Sequence, residues 1–272
     1  MAQVQTETLI LPPKKKRPLK KTIRNWAVVL VLIAIYAWTF SNIGIDWSRI
    51  FSEQTVRNVS RVIPQLFSPD WSVSGEAFVL MVETLAMAYT GTLLAAILAI
   101  PFGFFAAKNM INSKIINTAS KWALDAIRAF PEIMLALIFV AAVGPSAFAG
   151  VLAIAIGSIG MLGKLYSEVI ESIDMNIVET LEANGANKTQ ILFYGIIPQV
   201  IPEFLSYAIY RYEIDVRSST ILGLVGAGGI GMMIQISTMN RNWDEVGMAL
   251  IIIILVVTFI DYLSAYIRKR IV

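Results

Sequence analysis

Apolar stretches long enough to cross a bilayer alternate along this chain with short charged segments. Residues 25–45 carry no charge, and Trp26 to Phe40 are nearly all apolar. At about 1.5 Å per helical residue, that stretch crosses a hydrocarbon core of about 30 Å. A second uncharged run, 84–107, predicts a span from Phe78 to about Ala107, kinked at its end by Pro101 and Gly103. Residues 133–163 are uncharged as well, too many for one span, and Gly144-Pro145-Ser146 divides them with a tight turn. The third span then starts near Leu124–Arg128, and the fourth ends near Lys164–Tyr166. Ala153, Gly157, Gly160 and Gly163 permit close helix packing in the fourth. Pro198 and Pro202 open a fifth span, and Val246 to about Ile267 make a sixth. The pattern predicts an all-α integral membrane protein with six transmembrane helices. Residues 198–240 exceed one helix, which leaves room for a broken or re-entrant segment.

The charged segments give the orientation. A basic run precedes the first span (Lys14, Lys15, Lys16, Arg17, Lys20, Lys21, Arg24), and Arg268-Lys269-Arg270 closes the last. Lys108, Lys114, Lys121 and Arg128 face only Asp125 in the loop after the second span. Positive loops stay inside, so both termini are expected in the cytoplasm, as an even number of spans requires. No small-residue cleavage site follows Thr39-Phe40-Ser41, so the first span reads as an uncleaved anchor. Residues 45–77 have mixed charge and are expected outside. There Val56, Val59, Ile63 and Phe67, with Trp47 and Trp71, predict an amphipathic helix lying on the surface. The chain thus divides into a basic tail (1–24), a first span with its external amphipathic segment (25–77), and a main transmembrane domain (78–272).

Composition narrows the chemistry. Of 272 residues, 57% are hydrophobic and 15% charged, with mean hydropathy +0.69, where soluble domains carry about 25% charged residues. Cysteine and histidine are both absent, which excludes disulfides, thiol nucleophiles, Cys/His metal sites and histidine acid–base catalysis. The net charge of +3 is explained by the ends of spans, so nucleic acid is not expected as a partner. No metal ligand set and no P-loop occur, so an ATP-driven process needs ATP and Mg on another subunit.

One polar stretch interrupts the membrane-grade sequence: Glu179 to Pro198. Glu179, Glu182, Lys188 and Gln190 make it amphipathic, with Ala183, Ala186 and Leu192 on another face. Gly185 breaks the helix, and Pro198 restarts it where a missing N–H costs nothing. A short helix, a bend and a proline-started span make a rigid projection suited to docking. Gly226-Ala-Gly228-Gly229-Ile-Gly231 matches a dinucleotide fingerprint, but among membrane spans the motif reads as close helix approach or a hinge. Glu83, Arg128, Glu132, Arg211, Glu213 and Arg217 are charges within or beside spans, as is Asp215. Such groups either pair to fix helix register or line a polar path, where Arg211 or Arg217 would attract an anion.

The Glu179–Pro198 stretch resembles the coupling loop of permease subunits of bacterial ABC importers. Glu179, Gly185, Ile197 and Pro198 match that motif, while Thr180 and Leu181 stand where the family has small residues. Glu83–Ala88, Arg128–Glu132, Tyr194–Pro202, Leu222–Gly231 and Ser68–Trp71 are similar to the phosphonate and phosphite importer family, and methionine importers share the glycine-rich piece. The resemblance implies a type I permease fold over 78–272, with a coupling loop at about 172–197. It also implies a homodimer in the bacterial cytoplasmic membrane, two ATP-binding subunits and an extracytoplasmic substrate-binding protein. Glu179, Glu182, Ala183, Gly185, Lys188, Ile197 and Pro198 would serve coupling. A permease for another solute such as methionine, a proton-coupled carrier, and an intramembrane enzyme using Glu213 and Asp215 are the alternatives.

Overall fold

The computed structural model describes residues 19–44, 47–111 and 113–271, and every regular element among them is helical. The basic residues Lys14–Arg17 lie outside the described residues. The chain forms two compact units, 1–60 and 61–272. The first contains α1 (Leu19–Asn42), α2 (Trp47–Ile50) and most of α3 (Glu53–Leu66). α1 begins at Leu19, so Lys20, Lys21 and Arg24 lie on a helix. α3 is amphipathic as expected, with Val56, Val59 and Ile63 on an exposed face and a Glu53–Arg57 pair at 3.4 Å.

The second unit is a bundle of α4 (Ser74–Ala106), α5 (Lys114–Ala129), α6 (Glu132–Val143), α7 (Ala147–Glu171), α8 (Met175–Ala183), α9 (Lys188–Gln190), α10 (Ile197–Gly223), α11 (Gly229–Asn240) and α12 (Trp243–Ile271). Among the described residues, five helical runs are long and apolar enough to span a bilayer, and the bent α5–α6 pair makes a sixth. Asp70 caps the turn that leads into α4 by accepting from the Ser72 N–H at 2.8 Å. The hydrogen bonds from Ser72 hold its carboxyl below the usual aspartate range.

α4 and α7 run parallel and form the centre. A Cβ at Gly91 would lie 2.7 Å from Ile154, and one at Gly103 2.8 Å from Tyr166, so side-chain loss is what lets the helices close. α7 runs past the expected Tyr166 to Glu171, and α4 continues through Pro101. α10 runs antiparallel to both, with Tyr166 stacked on Phe204 at 3.9 Å between ring centres. α12 returns alongside α10, Arg268 meeting Glu213 and Arg217 meeting Asp261.

Two expectations are corrected. The third span is not a single helix from Leu124–Arg128: α5 begins at Lys114, and the chain turns by 80° at Phe130-Pro131 before α6. Proline removes an amide donor and disfavours helix at the residue before it, so the break falls at Phe130. The fifth span does not start at Pro198. Helix is continuous from Lys188 through a π-helical turn at Ile191–Ile196, in which the Ile197 N–H donates to Leu192 O. The wider turn shifts the bonding register just before Pro198, which has no N–H to give.

Residues 198–240 are broken rather than straight. α10 ends at Gly223, and the turn through Gly226 (φ +92°) and Gly228 (φ +86°) leads into α11. The Ile230 N–H donates to Thr84 Oγ1 at 2.9 Å, and farther along α11 Ile236 and Ser237 line a cavity together with Val73 and Glu76. α11 therefore climbs α4 in the direction α10 was already travelling. A Cβ at Gly223 would lie 2.6 Å from Gly231 Cα and 2.6 Å from Gly228 O, against backbone that cannot yield. Gly223→Ala is therefore expected to cost about 1–3 kcal/mol through overpacking. Gly75→Ala, with nothing within 4 Å, should be neutral or stabilising. Thermal melting of the purified protein in detergent checks the pair, and equal melting temperatures would contradict it.

Candidate functional site

Two features of the second unit carry chemistry beyond packing: a projecting elbow at one end and a charged network inside. The elbow begins at α8, whose first turn is capped by Asp174 accepting from the Asn176 N–H at 2.9 Å. It turns at Gly185, whose φ of +80° favours glycine. It resumes at α9, where Asn187 and Gln190 exchange side chain–backbone bonds at 2.9 and 2.8 Å. Val178, Ile191 and Ile196 are buried, with Leu181, Ala186 and Leu192 packed against them, in one cluster with Tyr166, Leu162, Val200 and Phe204.

Glu179, Glu182, Ala183, Gly185 and Lys188 are all exposed on the opposite side. Ala183 had been expected on the face with Ala186 and Leu192, and the structure moves it outward. Ile197 is half-buried and Pro198 exposed, at the root of α10. Gln199 is a part the sequence reading missed. Its side chain accepts from the Asp174 N–H at 2.9 Å and donates to Gly195 O at 2.6 Å, tying the entry of α8 to the π turn. An exposed face backed by a buried one that is continuous with two long helices can pass a push into the bundle.

The second feature centres on Arg211, which is only 6% exposed. Its Nη2 contacts Glu132 of α6 and lies 2.8 Å from Asp215 Oδ1, one turn along α10. Its Nε donates to Ser158 Oγ of α7 at 2.9 Å, and that hydroxyl donates to Asp215 Oδ2 at 2.9 Å. Thr92 of α4 adds a contact to Oδ2 at 2.6 Å. The Arg211–Asp215 pair thus joins four helices, and Asp215, at 0% exposure, has the guanidinium beside Oδ1 and two hydroxyls on Oδ2. A buried ion is tolerated only when compensated in this way.

The other expected path residues fall elsewhere. Arg128 is exposed, with its Cγ 2.8 Å from where a Cβ on Gly160 would stand, and pairs loosely with Asp125 at 3.9 Å. Glu83 lies apart from Arg211, beside the glycine turn: a Cβ on Gly228 would be 2.8 Å from its Oε1. Glu213 pairs with Arg268 at 2.5 Å, and Arg217 with Asp261 at 2.5 Å. Gly226, Gly228 and Gly229 all have positive φ in the turn between α10 and α11, while Gly231 packs closely on Gly223. Asp261 and Arg268 were in view as charges of the sixth span but not as partners of Arg217 and Glu213, while Thr92 and Ser158 were missed, and no spacing in the sequence could have announced those two hydroxyls. No group of metal-binding side chains occurs among the described residues.

Residues 99–272 match the family model described as the binding-protein-dependent transport system inner membrane component. The chain belongs to that family. It is 37% identical over 213 residues to the phosphite transport system permease protein PtxC of Stutzerimonas stutzeri, covering 78% of each chain. It is 32% identical over 279 residues to the phosphate-import permease protein PhnE of Mycolicibacterium smegmatis, covering 97% of this chain and 49% of that one. In solved structures, a chain of the inward-facing MetNI methionine ABC transporter superposes with TM-score 0.62 at 19% identity. The match covers 75% of this chain and 99% of that one, and it speaks to fold alone.

This permease is therefore a multi-pass inner-membrane transport subunit with a type I ABC importer fold. Membership implies an ATPase and a substrate-binding protein as partners. Removing one member of its buried network should destabilise it far more than removing an exposed charge. Arg211→Ala leaves two carboxylates without their cation and is expected to cost about 3–5 kcal/mol. Asp125→Asn loses only exposed pairs, 44–58% open, and should cost under about 1 kcal/mol. Detergent melting of both variants is the check, and an Arg211→Ala protein as stable as the parent would contradict the compensation argument.

Proposed function

We propose that this permease works as a homodimer that imports phosphite, a phosphonate or a related phosphorus oxyanion, each copy presenting its 172–197 elbow to one of two ATP-binding subunits. The observation that carries the coupling role is the two-sided elbow. Glu179, Glu182, Ala183, Gly185 and Lys188 are free to dock, while Val178, Leu181 and Ile191 anchor the same segment in the bundle. The phosphorus-oxyanion reading is supported by the relatives named for phosphite and phosphate. ATP binding would draw the two ATPases, and with them the two elbows, together. The helices rooted in the elbow would carry that motion to the far side, where the binding protein delivers substrate. The elbow and both chain termini face the cytoplasm in this arrangement. Arg211, Glu132 and their neighbours then belong to the polar lining of the path, with Glu83 beside the glycine turn as a second polar position.

Gly185 gives the direct test. A Cβ there has open space, with nothing within 4 Å, so a larger residue at that site acts through backbone strain and through the docking face rather than through the bundle core. Gly185→Asp should abolish ATP-dependent uptake of labelled phosphite into vesicles and uncouple ATP hydrolysis, with membrane insertion intact and only a small drop in melting temperature from the strained backbone. Normal uptake by that variant would count against the elbow's role.

A further inference from the structure

A cleft of about 430 Å³ opens where α5 breaks into α6, and Arg211 forms part of its wall together with Arg128, Glu132, Lys164 and Glu168. Its charges are not alike in freedom. Asp215, behind Arg211, is fully buried and held by Thr92 and Ser158. Glu132 is 21% exposed at its side chain and rests on Gly157, where a Cβ would stand 3.0 Å from its Cγ. Glu132 also sits in the first turn of a helix that has just turned by 80°. Of Arg211's two carboxylates, one is locked and one can swing into the cleft.

We infer that Glu132 is an internal stand-in for the transported anion, and that a phosphorus oxyanion entering the cleft displaces its carboxylate from Arg211. This rests on the importer reading above and adds a site within the permease itself. The exchange keeps the count of charges on Arg211 constant, so it avoids the cost of adding a third anion to a buried guanidinium. A tetrahedral oxyanion presents the same pair of acceptor oxygens to the guanidinium fork as a carboxylate does. Lys164 and Arg128, about half exposed and paired among the described residues with Asp125 alone, at 3.4 and 3.9 Å, stand at the cleft to receive the remaining charge. Glu168 lines the same wall and disfavours anions there, which leaves the Arg211 side as the seat. Release of Glu132 would free the first turn of α6 from α10, linking occupancy to the 80° bend between α5 and α6.

The chain has no cysteine, so a single one can report on the cleft. Leu165→Cys lines it, and its labelling by a charged thiol reagent can be timed in proteoliposomes of the full importer. Phosphite and methylphosphonate should slow labelling, and methionine should not. Glu132→Gln keeps the side chain's size and removes its charge, so half-protection should fall to about a tenth of the parent's phosphite concentration. Arg211→Gln should abolish protection, and Arg211→Lys should weaken it. Protection unchanged or weakened in Glu132→Gln would overturn the exchange, as would equal protection by methionine. The same vesicles report ATP-dependent uptake: no protection with uptake intact overturns the site alone, and loss of both overturns the importer reading with it.

Discussion

A buried guanidinium has to be answered from several directions at once, and that requirement organises the interior of this permease. Arg211 cannot leave the bundle, because α10 is hemmed by α4, α7 and α6, so each of those helices contributes a group to it or to Asp215. Charge inside a membrane bundle is costly enough that such a set fixes helix rotation and height together. The glycines of α7 serve the same end. Gly157, Gly160 and Gly163 face Glu132, Arg128 and Leu124 in turn, so the broken third span can lie close along α7.

The elbow is built into the bundle and is not an appendage. Its buried side shares a cluster with Leu162, Tyr166 and Phe204, and the Tyr166–Phe204 stack joins α7 to α10 just beyond it. Gln199 and the π turn tie its two ends, so displacement of α8 has no slack segment in which to dissipate. From there α7 and α10 lead straight to Ser158, Arg211 and Asp215. In the proposed mechanism, transmission and substrate contact are served by the same two helices.

Much of this was legible in the sequence, and the limits have physical causes. Uncharged runs bounded by basic residues marked the spans, because the bilayer penalises every unpaired charge. Glu179, Gly185 and Lys188 stood out because polar residues interrupt an apolar chain for few reasons other than exposure. The 80° turn at Phe130-Pro131 was missed although Pro131 was in view: uncharged sequence continues past it, and hydropathy has no term for direction. The start of the fifth span was misplaced at Pro198, because proline usually opens a helix, and a π turn that accommodates one inside a longer helix leaves no compositional mark. Arg211 and Glu132 were both singled out, but their meeting was not, since 79 residues separate them and only the fold brings α6 onto α10. Thr92 and Ser158 were invisible for the same reason.

The account depends on two elbows being driven together by nucleotide on a partner while the bundle behind them moves as one body. A spin label on Ala183→Cys, in an otherwise cysteine-free chain, reads that distance between copies by double electron–electron resonance in the reconstituted importer. A dipolar signal that shortens when ATP is bound, and lengthens again after hydrolysis, is the expected result. No inter-copy signal, or a distance indifferent to ATP, would contradict the account.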